Sequence, residues 1–187
     1  MKRSLVFVSA LSLTLGLAVF APAAELAGVK VPDTETVDGK VLKLNGVGLR
    51  KKMMFKVYVA GLYVETPSKN AATLLGANEI KSMRLHILRK LKGSQVSEAI
   101  ADGFELNSKA ELPKLKGRLD QLAGMIPDVA EGDEIALTWV PDKGTRVTVR
   151  GTDRGSIEGR DFADALFAVW LGPHPIQDDL KQGLLGT

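Results

Sequence analysis

Few side chains in this sequence are of the types that carry catalysis or bind metal ions. Cysteine is absent from the 187 residues, and histidine occurs only twice, as His86 and His174. The lack of cysteine excludes disulfide frameworks, thiolate metal sites and cysteine nucleophiles. The sequence also lacks the G-x-S-x-G, Walker, H-E-x-x-H and EF-hand motifs. No motif in the sequence therefore predicts a catalytic residue, a metal site or a cofactor.

The remaining polar candidates have simpler structural explanations. Four carboxylates precede a predicted strand: Asp128, Glu131, Asp133 and Glu134. Carboxylates can bind hard cations, but a solvated loop is the favoured interpretation of this cluster. His86 is interpreted as a strand residue with a local partner, and His174 as a loop residue between two prolines. The basic run from Arg89 to Lys92 is interpreted as the solvated end of a strand.

A more specific pattern begins in the first half of the chain. It consists of Leu44-Asn45-Gly46-Val47-Gly48-Leu49-Arg50 followed by Lys56-Val57-Tyr58-Val59-Ala60-Gly61-Leu62-Tyr63-Val64-Glu65. It continues with Gly93-Ser94-Gln95-Val96-Ser97-Glu98 and with the passage from Ile157-Glu158-Gly159-Arg160 to Leu171-Gly172. In this order, the segments resemble the chalcone isomerase family over roughly Val37 to Leu185. The resemblance implies an open-faced β-sandwich, in which helices are layered on one face of an antiparallel sheet.

The same resemblance bears on catalysis. The plant enzymes of the family close a flavanone ring with an arginine, a threonine, a tyrosine and an asparagine. The arginine matches Arg50, but the other three positions hold Tyr58, Val96 and Gly103. Val96 has no hydroxyl and Gly103 no amide, and losing one hydrogen-bond donor to developing charge can cost orders of magnitude in rate. The resemblance therefore implies no chalcone isomerase activity, while an intramolecular lyase acting on an unknown substrate stays an alternative.

An arginine combined with a tyrosine is similar to the non-catalytic, fatty-acid-binding branch of the family. Arg50 and Tyr58 are therefore the candidate ligand-binding residues, and the expected ligand is a small amphipathic carboxylate or lipid such as a fatty acid. A guanidinium offers a fork of donors to a carboxylate, and a phenol adds one more. In the alternative interpretation, Arg50 ends a strand and Tyr58 is a packed aromatic. The domain would then be a periplasmic scaffold for a protein partner that the sequence does not identify.

The spacing of Arg50 and Tyr58 limits whether both residues can bind the same ligand. On one extended strand, Arg50 and Tyr58 would lie about 26 Å apart. They can share a ligand only if the chain reverses near Lys52 to Met54, and this stretch has no Gly, Pro, Asn or Asp. Turn-forming residues therefore do not predict a tight reversal. Tyr63 follows Tyr58 by five positions, so the two tyrosines should face opposite sides of a regular strand.

The elements that must position these residues follow from periodicity. Strands are predicted around the Asp38-Gly39 turn and over Phe55–Val64, Met83–Leu91, Glu134–Val140, Thr145–Arg150 and Thr152–Ile157. Helices are predicted over Asn70–Leu75, Ser94–Leu106 and Phe162–Trp170, and from Pro113 and Pro175 onward. Because strands cluster instead of alternating with helices, an antiparallel α+β domain is expected. The predicted core includes Val57 or Tyr58, Val59, Leu85, Ile100, Phe104, Leu119, Leu122, Leu166 and Trp170.

The N-terminal segment predicts export. Lys2 and Arg3 precede an uncharged apolar run that ends in Ala21-Pro22-Ala23-Ala24. This pattern is typical of a signal peptide, here residues 1–23, which would release a domain of residues 24–187 into the periplasm without a stable membrane anchor. A membrane anchor is the alternative, because the run approaches the ~20 residues that span a bilayer. The net charge of +3 is too balanced to indicate nucleic-acid binding.

Overall fold

The computed structural model describes residues 22–187. The predicted signal peptide lies outside the described residues, except for Pro22 and Ala23, which begin the first strand. In the described range, none of the helices combines the length and the apolar character needed to cross a bilayer.

The described residues form nine strands and five helices. The strands are β1 (Pro22–Leu26), β2 (Val29–Pro32), β3 (Thr34–Val37), β4 (Lys40–Lys52), β5 (Phe55–Val64), β6 (Lys81–Ile87), β7 (Glu134–Val140), β8 (Gly144–Val149) and β9 (Thr152–Ile157). The helices are α1 (Ala71–Gly76), α2 (Gly93–Asn107), α3 (Leu112–Met125), α4 (Arg160–Leu171) and α5 (Asp178–Leu185).

Strands β3 to β9 form a seven-stranded antiparallel sheet in which sequence neighbours are also spatial neighbours. Strands β5 to β9 supply buried apolar side chains to the core beneath the helices, whereas the buried side chains of β3 and β4, Val37 and Leu42, belong to the opposite face. The opposite face carries a smaller cluster that includes Val59 and Tyr63 and is packed against the separate β1–β2 sheet. The predicted antiparallel α+β architecture with helices on one face is confirmed, while β1 and β2 were not predicted.

Several element ends differ from the predictions. Strand β6 ends at Ile87 instead of Leu91, although the Leu88 N–H still donates to the Val57 carbonyl next to β5 at 2.9 Å. The last helix begins at Asp178 instead of Pro175. Most of the predicted core is buried, but Leu119 is only half-buried and packs at the margin of the core.

Helix α5 lies directly on β4 because glycines remove the side chains between them. A Cβ atom added to Gly46 would come within 2.3 Å of the Gly183 carbonyl oxygen, and one added to Gly48 within 2.6 Å of the Leu180 carbonyl oxygen. These are backbone atoms, so neighbouring side chains could not move aside to relieve the clash. The glycines of the Leu44–Arg50 motif thus bring the N-terminal end of α5 beside Arg50.

Candidate functional site

The β4–β5 hairpin brings the two candidate residues together. Lys52 pairs with Phe55, so the chain reverses within two residues, Met53 and Met54, and Arg50 becomes the cross-strand partner of Tyr58. Met53 adopts a positive φ of 56°, a conformation that residues other than glycine rarely take. The expectation that no tight reversal occurs here was therefore wrong, and the geometric condition for a shared ligand is met.

The Tyr58 side chain is buried on the helical side of the sheet. Its hydroxyl oxygen accepts a hydrogen bond from the Trp170 indole Nε1 at 3.0 Å. Among the hydrogen bonds of the described residues, none uses the hydroxyl proton of Tyr58 as a donor. Burial raises the pKa of Tyr58 to about 12, and the Trp170 hydrogen bond and the nearby Arg50 charge oppose this shift. The phenol is thus neutral at physiological pH and has a proton to donate.

Arg50 is held by the polar residue that precedes α5. Its Nη1 donates to the Gln177 Oε1 at 3.1 Å and to the Lys51 carbonyl. The Gln177 Oε1 also accepts from the Lys51 backbone N–H at 2.9 Å, and its Nε2 donates to the Leu49 carbonyl at 3.2 Å. One amide therefore fixes the backbone on both sides of Arg50. Within the described part of the chain, the Nε and Nη2 groups of Arg50 make no hydrogen bond and keep their donors for a ligand.

Arg50 and Tyr58 line one cleft of about 310 Å³ between the sheet and the helices. This volume lies at the lower end of the range of small-molecule sites. Most of the lining is apolar. It comes from the hairpin, from β6 and the segment after it, from α2, and from α4 and the segment after it: Met53, Phe55, Val57, Leu85, Leu91, Val96, Ala99, Ile100, Trp170 and Ile176. The cleft thus has the chemistry of a site for a mostly apolar molecule.

The charged lining of this cleft has a single sign. Lys52, Arg89 and Lys90 join Arg50, and among the described residues no acidic side chain lines the cleft. The interpretation of Arg89 and Lys90 as a merely solvated strand end was incomplete, because both side chains border the cleft and the Arg89 guanidinium stacks on the Phe55 ring at 4.4 Å. An anionic group at the mouth would meet complementary charge.

The two positions that the resemblance assigns to catalytic side chains have separate surroundings. Val96 lines the cleft, but Gly103 does not. Gly103 is buried where α2 crosses α4, and a Cβ atom there would lie 2.7 Å from the Val169 Cγ1. An amide side chain at position 103 could not be accommodated without separating the two helices.

The two tyrosines of β5 face opposite sides of the sheet, as predicted from their spacing. Tyr58 belongs to the helical core, whereas Tyr63 packs in the cluster on the other face. The Tyr63 hydroxyl donates to the Pro32 carbonyl at 2.9 Å, which ties β2 to the main sheet. Tyr63 is therefore a structural residue outside the cleft.

Sequence reasoning missed Trp170 and Gln177 as parts of the site. Trp170 was predicted only as a core residue, and Gln177 was not singled out. Both reach the site through contacts that span more than a hundred positions of the chain, and a single sequence carries no signal for such contacts. A polar residue after Pro175 at the start of an amphipathic helix was the available hint for Gln177.

A model of the chalcone isomerase-like family matches residues 23–186. The chain belongs to this family. The match spans almost all the described residues and confirms the resemblance first drawn from the Leu44–Arg50 and Lys56–Glu65 segments. A search of curated protein sequences finds no match.

Among solved structures, the chalcone isomerase-like chain is similar to a fatty-acid binding protein of Arabidopsis thaliana, AtFAP1. The two share 18% identity with a TM-score of 0.64, over 84% of this chain and 92% of the other. At this identity the likeness shows the fold, an α+β arrangement of a curled seven-stranded antiparallel sheet and helices.

Proposed function

We propose that this chalcone isomerase-like domain is a non-catalytic binding protein for a small amphipathic carboxylate such as a fatty acid. The observation that carries the proposal is the pairing of Arg50 with Tyr58 inside an apolar cleft whose charged side chains are all cationic. The carboxylate would bind the free donors of Arg50 and the proton of Tyr58, and the tail would lie against α2 and β6. The similar Arabidopsis structure is that of a fatty-acid binding protein, which agrees with this ligand class.

Two features support binding over catalysis at this cleft. Val96 supplies only methyl groups where the family enzymes have a tyrosine, and Gly103 lies outside the cleft. Arg50 and Tyr58, the cross-strand pair in the cleft, are both donors at neutral pH, so neither can act as a general base. Donors alone can hold an anion, but they cannot remove a proton from a substrate.

The test is a calorimetric titration with medium- and long-chain fatty acids. Truncating one partner of a buried charge pair costs ~2–5 kcal/mol, so Arg50→Ala should weaken binding about thirtyfold or more. Arg50→Lys keeps the charge but not the fork, and should fall between wild type and Arg50→Ala. Arg154→Ala is the matched control, because Arg154 is exposed on β9, at the opposite edge of the sheet from β4.

A second titration with a fatty alcohol of the same length tests whether the protein recognises the negative charge of the carboxylate. Wild type should prefer the acid, and Arg50→Ala should lose most of this preference, because Arg50 supplies the charge-assisted hydrogen bonds to the carboxylate. Equal binding of the acid by wild type and Arg50→Ala, or no binding by either, would make Arg50 a structural residue and favour the scaffold interpretation. Export to the periplasm remains a separate prediction from residues 1–23.

A further inference from the structure

Three consecutive apolar side chains lie exposed at the end of the β4–β5 hairpin. Met53 and Met54 are 91% and 93% exposed, and Phe55 is 56% exposed. We call Met53–Phe55 the hairpin tip. The other large apolar side chains that are exposed in the described residues, Val41 and Leu106, stand singly. Single exposed apolar residues are ordinary, whereas a contiguous group marks an interaction surface.

Local stability does not explain these residue types. Two-residue hairpin turns favour asparagine and glycine because the backbone needs positive φ. Met53 adopts φ of 56° without that advantage, and its side chain gains almost no burial in return. A polar turn would therefore serve the hairpin alone better than two methionines.

Basic side chains surround the hairpin tip. Lys51, Lys52 and Lys56 flank it on the two strands and are exposed. Arg89 stacks on the Phe55 ring, and the exposed Lys90 borders the same cleft mouth. The sequence from Arg50 to Val57 contains no acidic residue. The surface thus combines protruding apolar groups with a ring of positive charge.

We propose that the hairpin tip docks on the surface of a bilayer that contains anionic phospholipids. Apolar side chains beside basic ones are the composition of segments that lie at a membrane interface, where lysines and arginines meet anionic headgroups. A stable protein interface usually needs ~20–30 residues on each side, which a two-residue turn with its flanking lysines does not provide. The favoured occupant is therefore a lipid surface.

This docking places the cleft mouth at the bilayer. Met53 and Phe55 belong to the tip and also line the cleft, so an amphiphile could pass between bilayer and cleft without crossing water. That passage rests on the proposed function, but the docking does not. The two can be tested separately because Met54 and Lys56 belong to the hairpin without lining the cleft.

The experiment is co-sedimentation of the protein with vesicles of phosphatidylcholine alone and of equimolar phosphatidylglycerol and phosphatidylcholine. Wild type should bind the anionic vesicles, and this binding should weaken as salt screens the lysines. A double variant, Met54→Ser with Lys56→Glu, should lose about tenfold or more of that binding, because it removes an apolar contact and reverses a charge. Its affinity for a fatty acid in solution should not change.

The matched control is Leu106→Ser with Lys109→Glu, which also replaces an exposed apolar side chain by serine and an exposed lysine by glutamate, near the far end of α2. This control should sediment with anionic vesicles as wild type does. The proposal is overturned if wild type fails to bind anionic vesicles or if the two double variants lose binding equally. It is also overturned if the tip variant changes only the self-association of the protein in gel filtration. Loss of fatty-acid binding in Arg50→Ala with intact vesicle binding would leave the docking standing.

Discussion

The hydroxyl of Tyr58 accepts a hydrogen bond but does not donate one within the described residues. Its oxygen accepts from Trp170 in the core, while its proton has no acceptor among the described residues. Tyr63, five positions along the same strand, donates its proton to the Pro32 carbonyl. The two phenols are therefore both hydrogen-bonded, but only Tyr58 has a donor left for a ligand.

This difference predicts separate effects of two identical substitutions. Tyr58→Phe and Tyr63→Phe should each lower the free energy of unfolding by ~1–3 kcal/mol, because each leaves a partner of the hydroxyl unsatisfied. Only Tyr58→Phe should also weaken fatty-acid binding, by ~1–3 kcal/mol, since it removes a donor to the carboxylate. Urea denaturation and calorimetry measure the two quantities. An equal loss of affinity in both variants would contradict the role of Tyr58.

The sequence motif named the residues of this pair, but local rules did not predict how they meet. Turn chemistry opposed a reversal at Met53-Met54, and the structure makes one with a positive φ at Met53. Pairing along the rest of β4 and β5 holds this turn in place, which is a tertiary effect that residue propensities do not contain. By contrast, the Asp38-Gly39 turn was predictable, because its two positive φ angles suit those residue types.

At the scale of elements, glycines set how closely the helices approach the site. Gly103 lets α2 cross α4 in contact with Val169, which keeps Val96 and Trp170 on two walls of one cleft. Gly117 in α3 is exposed and has no atom within 4 Å of an added Cβ. The same residue type thus has a packing role in one helix and none in the other.

The two glycines should respond to alanine with opposite signs. Gly103→Ala should lower the free energy of unfolding by ~1–3 kcal/mol through overpacking against Val169. Gly117→Ala should raise it by ~0.5–1 kcal/mol, because alanine favours the helix and meets no clash. Thermal or urea denaturation measures both.

A double variant identifies the clash as the cause. Val169→Ala removes the two methyl groups nearest to the added Cβ, so the double variant with Gly103→Ala should lose less stability than the sum of the two single variants. Strict additivity would mean that Gly103 matters for the backbone and not for the α2–α4 contact.

At the scale of the whole molecule, the two faces of the sheet differ in chemistry. The helical face is mostly apolar, whereas the other face carries, beside its apolar cluster, linked charges between β3, β6 and β7. Arg84 bonds to both Glu35 and Glu134, and the His86 Nδ1 lies 3.2 Å from the Glu134 carboxylate. The His86 Nε2 is buried without a partner in the described residues. The strand residue and local partner predicted for His86 are thus confirmed, although no pattern identified Glu134 as that partner.

This arrangement predicts a pH dependence of stability. Burial lowers the pKa of His86, and the nearby Arg84 charge acts in the same direction against the opposing pull of Glu134. A proton on Nε2 would have no acceptor there. The unfolded chain, with an ordinary histidine pKa of about 6.5, therefore binds the proton more tightly than the folded one. Stability should fall as the pH drops below about 6.5 and should be independent of His86 above about pH 8.

Because the sequence has only two histidines, the contribution of His86 can be isolated. The free energy of unfolding of wild type, His86→Gln and His174→Gln is measured in urea from pH 5 to 8. His174 is exposed, so its variant should keep the wild-type slope, while His86→Gln should flatten it. Carboxylates that do not contact His86 act alike in all three proteins and cancel in the comparison. If His86→Gln retains the full slope, the proton is taken up elsewhere, and the linked charges on this face do not set the acid sensitivity of the fold.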